Sequence, residues 1–411
     1  MCRYYWFFVI FAEIFGLMSK CILFLMSIVW FYRLPVYSQT LSAQAWDSIA
    51  VCRMDSLSRE ADDSPYFTGI CVYDLTSDSL LYGKNHHKLM RPASILKLIT
   101  AISALDQLGP DYPFETRVRI CGTLVRNGSG HTTLRGRITV RGSMDPLVRQ
   151  GDLHCVIDTL RRLGVDRLEG GIFADRSMKR DTTTLGPGWC WDDDNPRLDP
   201  MLNISVGKLA SSVRQAGIEV VRDDNTPSEP VISDFVCASH TVNQVLQRMM
   251  KNSDNQHAES MMCLLGSLAR GNNTEKDRVG QIRKTIAKTD QPYSSVDISD
   301  GSGLSLYNYV TPRMIIAFLK YAYQNDKIRS ALLPSLPIAG KDGTLANRMR
   351  TSSGALNVRA KTGTVSHVAS LAGYLTAPTG HTLAFVIISN GSRRAASPRN
   401  LQDSLCKILT Q

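Results

Sequence analysis

None of the ten cysteines stands in a C-x-x-C pair, so neither a zinc ribbon nor a thioredoxin-type redox site is expected. There is no low-complexity tract and no internal repeat, which removes solenoids and linker-like segments. The net charge is +10, yet no dense Lys/Arg cluster is interleaved with aromatics, so nucleic acid is not an expected partner. The charge does leave contact with an anionic polymer or a membrane surface open, as peripheral membrane association. His257-x-Glu259 lacks the following P-C-x-x-C of a zinc deaminase. Residues 192–199 lack the glycine and spacing of a calcium loop, and Gly340-Lys341 lacks the rest of a phosphate loop. No metal site and no cofactor are expected.

What is present is an ordinary globular composition, 43% hydrophobic and 20% charged, on a chain of 411 residues, long enough for about two domains. Residues 4–12 and 21–32 are apolar runs interrupted by Glu13 and Lys20. Neither reaches the roughly 20 residues of a spanning helix. The second run follows Lys20 and precedes small residues, the layout of a secretory signal peptide over 1–38, with Ser38 or Ala45 as the last residue removed. An uncleaved N-terminal membrane segment is the alternative, and Arg33 after the run favours it. Export would permit disulfides, although spacing pairs none of the cysteines.

Residues 67–84 read as two strands joined by a turn. A helix opens at Ser94 and stops at Gly109-Pro110. Residues 115–141 alternate β-formers with Gly-containing turns and read as a small antiparallel unit. A helix near 152–163 and a strand near "LEGGIFA" follow, and 181–235 reads as mostly loop. Helical periodicity returns from Thr241. Three strands with short links, "NVRAKTGTV", "ASLAGYLTA" and "TLAFVIISN", form an antiparallel meander before a C-terminal helix.

Three short patterns carry chemistry. In "RPASILKLIT" Ser94 and Lys97 are three apart and share a helix face. A serine is a nucleophile only when a base takes its proton. Lys97 can be that base when burial among Ile95, Leu96 and Leu98 depresses its pKa. In "KNSDNQHAE" Ser253 and Asn255 are two apart, so in an extended segment both face one cleft; the same residue types also make a plain helix cap. In "RAKTGTVSH" Lys361, Thr362, Gly363 and Thr364 lie on a strand whose glycine admits a close neighbour. An extended peptide can add to such an edge beside the lysine and the threonine hydroxyls. "KDGT" at 341–344 has a similar pattern in a turn-like context and reads as a structural loop.

The ordered set S-x-x-K, S-D-N, K-T-G resembles that of the penicillin-binding proteins and class A β-lactamases. With "GSMDPLV", "GWCWDDDNP", "DGSGLSLYNYVTP" and "LPIAGKDGTLANRM", nearly the whole chain after the leader resembles the class C low-molecular-mass penicillin-binding proteins, a family of serine D-alanyl-D-alanine carboxypeptidases and endopeptidases. The resemblance implies an α/β (α+β) fold: a β-lactamase/transpeptidase-like domain, an antiparallel sheet flanked by helices, over 39–110 and 236–411, interrupted by a smaller β-rich domain at 111–235. It implies acyl transfer by Ser94, with Lys97 as base, Ser253 as proton relay, Asn255 on the peptide backbone, and Lys361 with Thr362 on the terminal carboxylate. The backbone N–H groups of Ser94 and Thr364 form the oxyanion hole. Asp145 would bind a side-chain ammonium. Peptidoglycan peptides would be substrates, β-lactam antibiotics covalent inhibitors, and the location periplasmic or membrane-associated outside the cytoplasm.

Two departures stand out. Only 159 residues separate Ser94 from Ser253, which leaves room for one inserted domain where larger members carry two. Met144 replaces the family's glycine before the Asp-Pro pair. A β-lactamase would need a deacylating glutamate between the second and third motifs; only Glu259 and Glu275 lie there, the first expected to face away and the second in a polar loop. A wall-binding or sensor module without turnover is the other alternative.

Overall fold

The computed structural model describes residues 43–62, 64–177, 188–189, 198–226, 228–269, 274–292, 294, 296–351, 354–355, 357–394 and 396–411. The expected leader, and all of the 188–196 stretch except Gly188 and Trp189, lie outside these residues. Packing divides the chain into units 1–46 and 47–411. Of the first, only the opening of helix α1 (Ala43–Asp62) is described.

The second unit begins with an antiparallel pair, β1 (Phe67–Asp74) and β2 (Ser79–Lys84). Helix α2 (Leu96–Gln107) follows, and every residue from Leu96 to Leu105 is buried. Its sequence, LKLITAISALDQ, is apolar on almost all sides, as a central core helix must be. That placement is why Lys97 ends up without solvent.

The chain then builds a second sheet. Strands β3 (Pro113–Arg126) and β4 (Thr132–Arg141) pair antiparallel. Helix α3 (His154–Arg162) carries the chain across to β5 (Val165–Asp175), which runs parallel to β4. Helix α4 (Val206–Gln215) leads to β6 (Glu219–Arg222), parallel to β5. Strand β7 (Val231–Thr241) returns beside β3. The antiparallel unit expected over 115–141 is the β3–β4 hairpin. The hairpin is antiparallel, but a helix between strands makes a crossover, and crossovers give parallel neighbours. Val156 and Leu160 of α3 join Leu209 and Val213 of α4 over Val118, Ile138 and Val140, in a core of their own. A disulfide ties Cys155 of α3 to Cys237 of β7.

This sheet leaves and returns at one place. Val242 N donates to Tyr112 O at 2.9 Å, and Asn243 N to Pro110 O at 2.9 Å. Thr241 then caps helix α5 (Val242–Asn252), its side chain and that of Gln244 each satisfying the other's backbone N–H. Helices α6 (Asn255–Ser267), α7 (Glu275–Ile286), α8 (Pro312–Gln324) and α9 (Asp326–Ser335) follow. Helices α2 and α5 to α9 all contribute to one core.

The meander β8 (Val358–Val365), β9 (Val368–Thr376) and β10 (Thr382–Asn390) ends in helix α10 (Ala396–Thr410). Strand β10 pairs with β1, so the two ends of the unit share one antiparallel sheet, in the order β8-β9-β10-β1-β2. Strand β9 is buried at every position but its last, as a strand covered on both faces must be. Strand β8 is an edge.

Candidate active site

Ser94 sits in a short 3-10 turn (Ala93–Ile95) that runs into α2. Ala93 has φ of +49°, and Ser94 is the one partly exposed residue between Pro92 and Thr100. Two glycines allow this turn its neighbours. A Cβ on Gly303 would lie 2.0 Å from Ala93 O, and one on Gly363 would lie 2.9 Å from Ser94 N.

Lys97 is completely buried. Its Nζ lies 2.9 Å from Ser94 Oγ, 2.8 Å from Asn255 Oδ1 and 2.7 Å from Ser302 O. A neutral amine has two N–H groups and one lone pair. Two acceptors here cannot donate in return, the Ser302 carbonyl and Asn255 Oδ1, whereas the Ser94 hydroxyl can. The shell thus suits a neutral lysine whose lone pair faces Ser94 O–H. Burial pulls its pKa down to about 8, against the opposing fields of Asp300, Glu259 and Asp254.

The second motif lies in a two-residue link between α5 and α6. Ser253 takes the left-handed conformation (φ 59°), Asp254 caps α6 by accepting from His257 N at 3.1 Å, and Asn255 is the first helical residue. The segment is not extended, as i, i+2 reasoning assumed. The capping role and the site role coexist: Asp254 supplies the cap, while Ser253 and Asn255 each reach a different lysine.

Lys361 differs from expectation. It was to supply charge along the strand edge, but its side chain is fully buried. Its Nζ donates to Ser253 Oγ at 2.8 Å and to Thr362 O at 2.6 Å. Burial, and then the field of Lys97, hold its pKa well below the usual lysine range. The residues that do open outward are Thr362 and Thr364. Thr362 Oγ1 bonds to Thr344 Oγ1 at 2.7 Å, and Thr364 Oγ1 accepts from Arg399 Nη2 at 3.2 Å.

A cavity of about 410 Å³ is lined by Ser94, Ser253, Thr344, Arg348, Thr362, Gly363, Thr364, Ser370, Arg399 and Gln402. Five of these were not anticipated. Thr344 belongs to the "KDGT" turn that was read as purely structural. Arg348 is paired with Asp403 at 2.6 Å. Arg399 and Gln402 come from α10, and Ser370 donates to Pro92 O at 2.6 Å. Apart from the quoted "LANRM" stretch that holds Arg348, no local pattern marks these side chains as belonging here.

The loop 300–308, marked by the DGSGLSLYNYVTP stretch but given no role there, is the other part of the site. Asp300 is buried and accepts from Gly303 N and Ser305 N, each at 2.6 Å, from Asn308 Nδ2 at 2.9 Å and from Trp189 Nε1 at 2.8 Å. These bonds fix the backbone that presents the Ser302 carbonyl to Lys97. Glu259, expected to face away, is buried and accepts from Gly301 N at 2.9 Å. Glu275 opens α7. Neither glutamate lines the cavity.

Asp145 is placed elsewhere. Its side chain is fully buried, with Oδ2 2.6 Å from His240 Nδ1 and Oδ1 accepting from Leu147 N at 2.9 Å. Met144, before it, holds φ of +60°, a conformation that glycine adopts with less strain. A carboxylate enclosed in this way has no open face for a substrate ammonium. Asp145 instead joins the loop after β4 to β7.

A family model described as D-Ala-D-Ala carboxypeptidase 3 (S13) matches residues 54–203 and 203–411. The chain is 25% identical over 427 residues to D-alanyl-D-alanine carboxypeptidase DacB of Haemophilus influenzae, covering 79% of this chain and 85% of that protein. It is 26% identical over 446 residues to a D-alanyl-D-alanine carboxypeptidase of an Actinomadura species, covering 84% and 81%. The crystal structure of penicillin binding protein 4 from Haemophilus influenzae has the same fold, with a TM-score of 0.73 at 21% identity over 87% of this chain and 99% of that one.

Proposed function

The chain belongs to the D-Ala-D-Ala carboxypeptidase 3 (S13) family, and on that premise we propose that it cleaves peptidoglycan stem peptides through an acyl-serine at Ser94. The observation that carries this reading is the buried Lys97 amine 2.9 Å from Ser94 Oγ. Ser94 Oγ attacks the carbonyl of the penultimate D-Ala, and Lys97 takes the hydroxyl proton. Backbone N–H groups of Ser94 and Thr364 receive the oxyanion; one such donor is typically worth ~10²–10³ in rate. The amide bond breaks, and Ser253, held by Lys361, passes a proton to the leaving amine. Water then attacks the ester and frees Ser94. Asn255 gives its oxygen to Lys97, which leaves its Nδ2 hydrogens for the substrate backbone.

The terminal carboxylate is read by Thr362, Thr364 and Arg399, because Lys361 is turned inward. Carboxypeptidase action releases D-Ala; endopeptidase action releases the amine of a cross-linking peptide. The inserted domain is taken to begin near residue 111 and to end near Thr241, where its sheet ends, slightly beyond the expected 235. The separate sheet, its own core and the hydrogen-bonded neck support that division. The Cys155–Cys237 disulfide fits an oxidising compartment outside the cytoplasmic membrane. No helix among the described residues is long and apolar enough to cross a membrane.

The test is intact-mass analysis and peptide mapping after exposure to penicillin. One stable adduct on the peptide holding Ser94, absent from Ser94→Ala, is the expected result. Rapid release of hydrolysed penicillin would instead assign a β-lactamase. Acylation without any hydrolysis of D-Ala-D-Ala peptides would assign a binding module.

A further inference from the structure

Glu259 is a buried carboxylate that the acyl-transfer steps do not use. It lies one helical turn beyond Asn255 on α6, so both side chains leave the same face. Asn255 meets Lys97 directly, and Glu259 meets the loop that holds Lys97 from the other direction. The contacts form a closed circuit. Glu259 Oε1 accepts from Gly301 N at 2.9 Å. Gly301 O accepts from Thr100 Oγ1 at 2.7 Å, and Thr100 lies three residues beyond Lys97 on α2. The next carbonyl, Ser302 O, is one of the acceptors on Lys97 Nζ. Gly301 itself has no room for a side chain, since a Cβ there would lie 2.7 Å from Met262 Cβ. Gly301 is therefore pinned at its N–H, at its carbonyl and from below.

We propose that Glu259 is a positioning residue for the general base: it fixes Gly301, and through it the Ser302 carbonyl, so that Lys97 keeps its lone pair on Ser94. This rests on the reading of Ser94 and Lys97 given above. The charged groups around Lys97 are Asp300 on the loop, Asp254 and Glu259 on α6, and Lys361 on β8. The three carboxylates raise the Lys97 pKa against its burial, and the field of Lys97 in turn lowers that of Lys361. Asp300 and Asp254 are tied to backbone N–H groups of their own segments. Glu259 links α6 to the loop across Lys97.

Charge and hydrogen bond can be separated. Glu259→Gln keeps an acceptor for Gly301 N and removes the charge. Glu259→Asp keeps the charge, but its shorter side chain falls short of Gly301 N. The measurement is the acylation rate by a fluorescent penicillin across pH, with the melting temperature of each variant. Glu259→Gln is expected to move the acid limb to lower pH by roughly half a unit to one unit, since Lys97 then loses its proton more readily. Glu259→Asp is expected to leave the limb in place and lower the plateau about tenfold, the effect of a slightly displaced base. Thr100→Val, which removes the other anchor on Gly301, should lower the plateau in the same way, and an unchanged plateau there counts against the inference. Variants that match wild type in both limb and plateau, or whose rates merely follow their folded fraction, overturn it while leaving Ser94 and Lys97 in their roles. A wild-type protein that penicillin does not acylate overturns both readings.

Discussion

Gly363→Ala tests how closely strand β8 must approach the nucleophile. Gly363 is not among the residues with positive φ, so alanine meets no backbone penalty and the effect is one of space alone. The added Cβ would lie 2.1 Å from Ser370 Oγ, 2.9 Å from Ser94 N and 3.0 Å from Pro92 O. Ser370 can rotate away, at the cost of its bond to Pro92 O, about 1 kcal/mol. The other two contacts are backbone and cannot rotate. They are relieved only if β8 moves outward by a few tenths of an ångström. As an edge strand it can do so at modest cost, and for a chain of this size a loss of about 1 kcal/mol lowers the melting temperature by only about 1 °C. The chemistry is less forgiving, because Thr364 N must stay in line with Ser94 N, and a misplacement of about 1 Å can cost ~10² in rate. Acylation by fluorescent penicillin should therefore fall roughly 10- to 100-fold while the protein stays folded. Adding Ser370→Ala to Gly363→Ala should restore neither the melting temperature nor the rate, because the bond to Pro92 O stays lost and the backbone contacts remain. A Gly363→Ala protein that acylates within about threefold of wild type would refute the claim that this strand sets the oxyanion geometry.

Acylation should rise with pH through an apparent pKa near 8, because the reactive form of Lys97 is the neutral amine and protonation below that pH removes the base; a flat profile from pH 6 to 9 would contradict it. Arg399→Ala should raise KM about tenfold for a peptide ending in a free D-Ala carboxylate and barely change it for the same peptide amidated at its C-terminus, as steady-state kinetics on the pair will show. Cys155→Ser with Cys237→Ser should cost about 2–4 kcal/mol in denaturant unfolding and leave the penicillin acylation rate near wild type, since the disulfide lies within the second sheet.

The catalytic sheet and the three motifs were readable because each is a local signal. The α2 sequence is apolar on nearly every side, so it had to be central, and a lysine within it had to be buried. The meander has short links and therefore had to be antiparallel. The β3–β4 hairpin over 115–141 was readable in the same way, but alternation reports a strand's exposure, not its further neighbours. The parallel pairing of β4 with β5 follows only once α3 is seen to cross between them. Helix α4 was left unplaced among the short elements expected within 181–235, because it buries just Leu209 and Val213 within a segment rich in Asp, Pro, Gly and Thr. Arg399 and Arg348 carry no spacing signal, since they reach the cavity from a helix and a turn whose docking is a long-range outcome. Asp145 was assigned by resemblance alone, and its partner His240 lies 95 residues away.

The inward turn of Lys361 changes how the two lysines work together. Two buried ammonium groups are costly to keep charged, and the field of Lys97 lowers the proton affinity of Lys361. Before acylation, burial favours a neutral Lys97, which on the proposed reading takes the Ser94 proton. After that transfer Lys97 would be charged and fully buried, and the same burial would press it to give the proton up. Asn255 and Ser302 can accept N–H groups but cannot carry the proton away, because neither is basic. Ser253 Oγ is held by Lys361 Nζ at 2.8 Å, and on the proposed reading its hydroxyl, which donates as well as accepts, is the relay to the leaving amine. On the proposed reading Lys361 acts on the leaving amine through Ser253, and the substrate carboxylate is left to groups that face the cavity, where Arg399 bonds to Thr364. The alternation of the K-T-G strand turns Lys361 inward and Thr362 and Thr364 toward the cavity, which is the division of tasks that this reading requires.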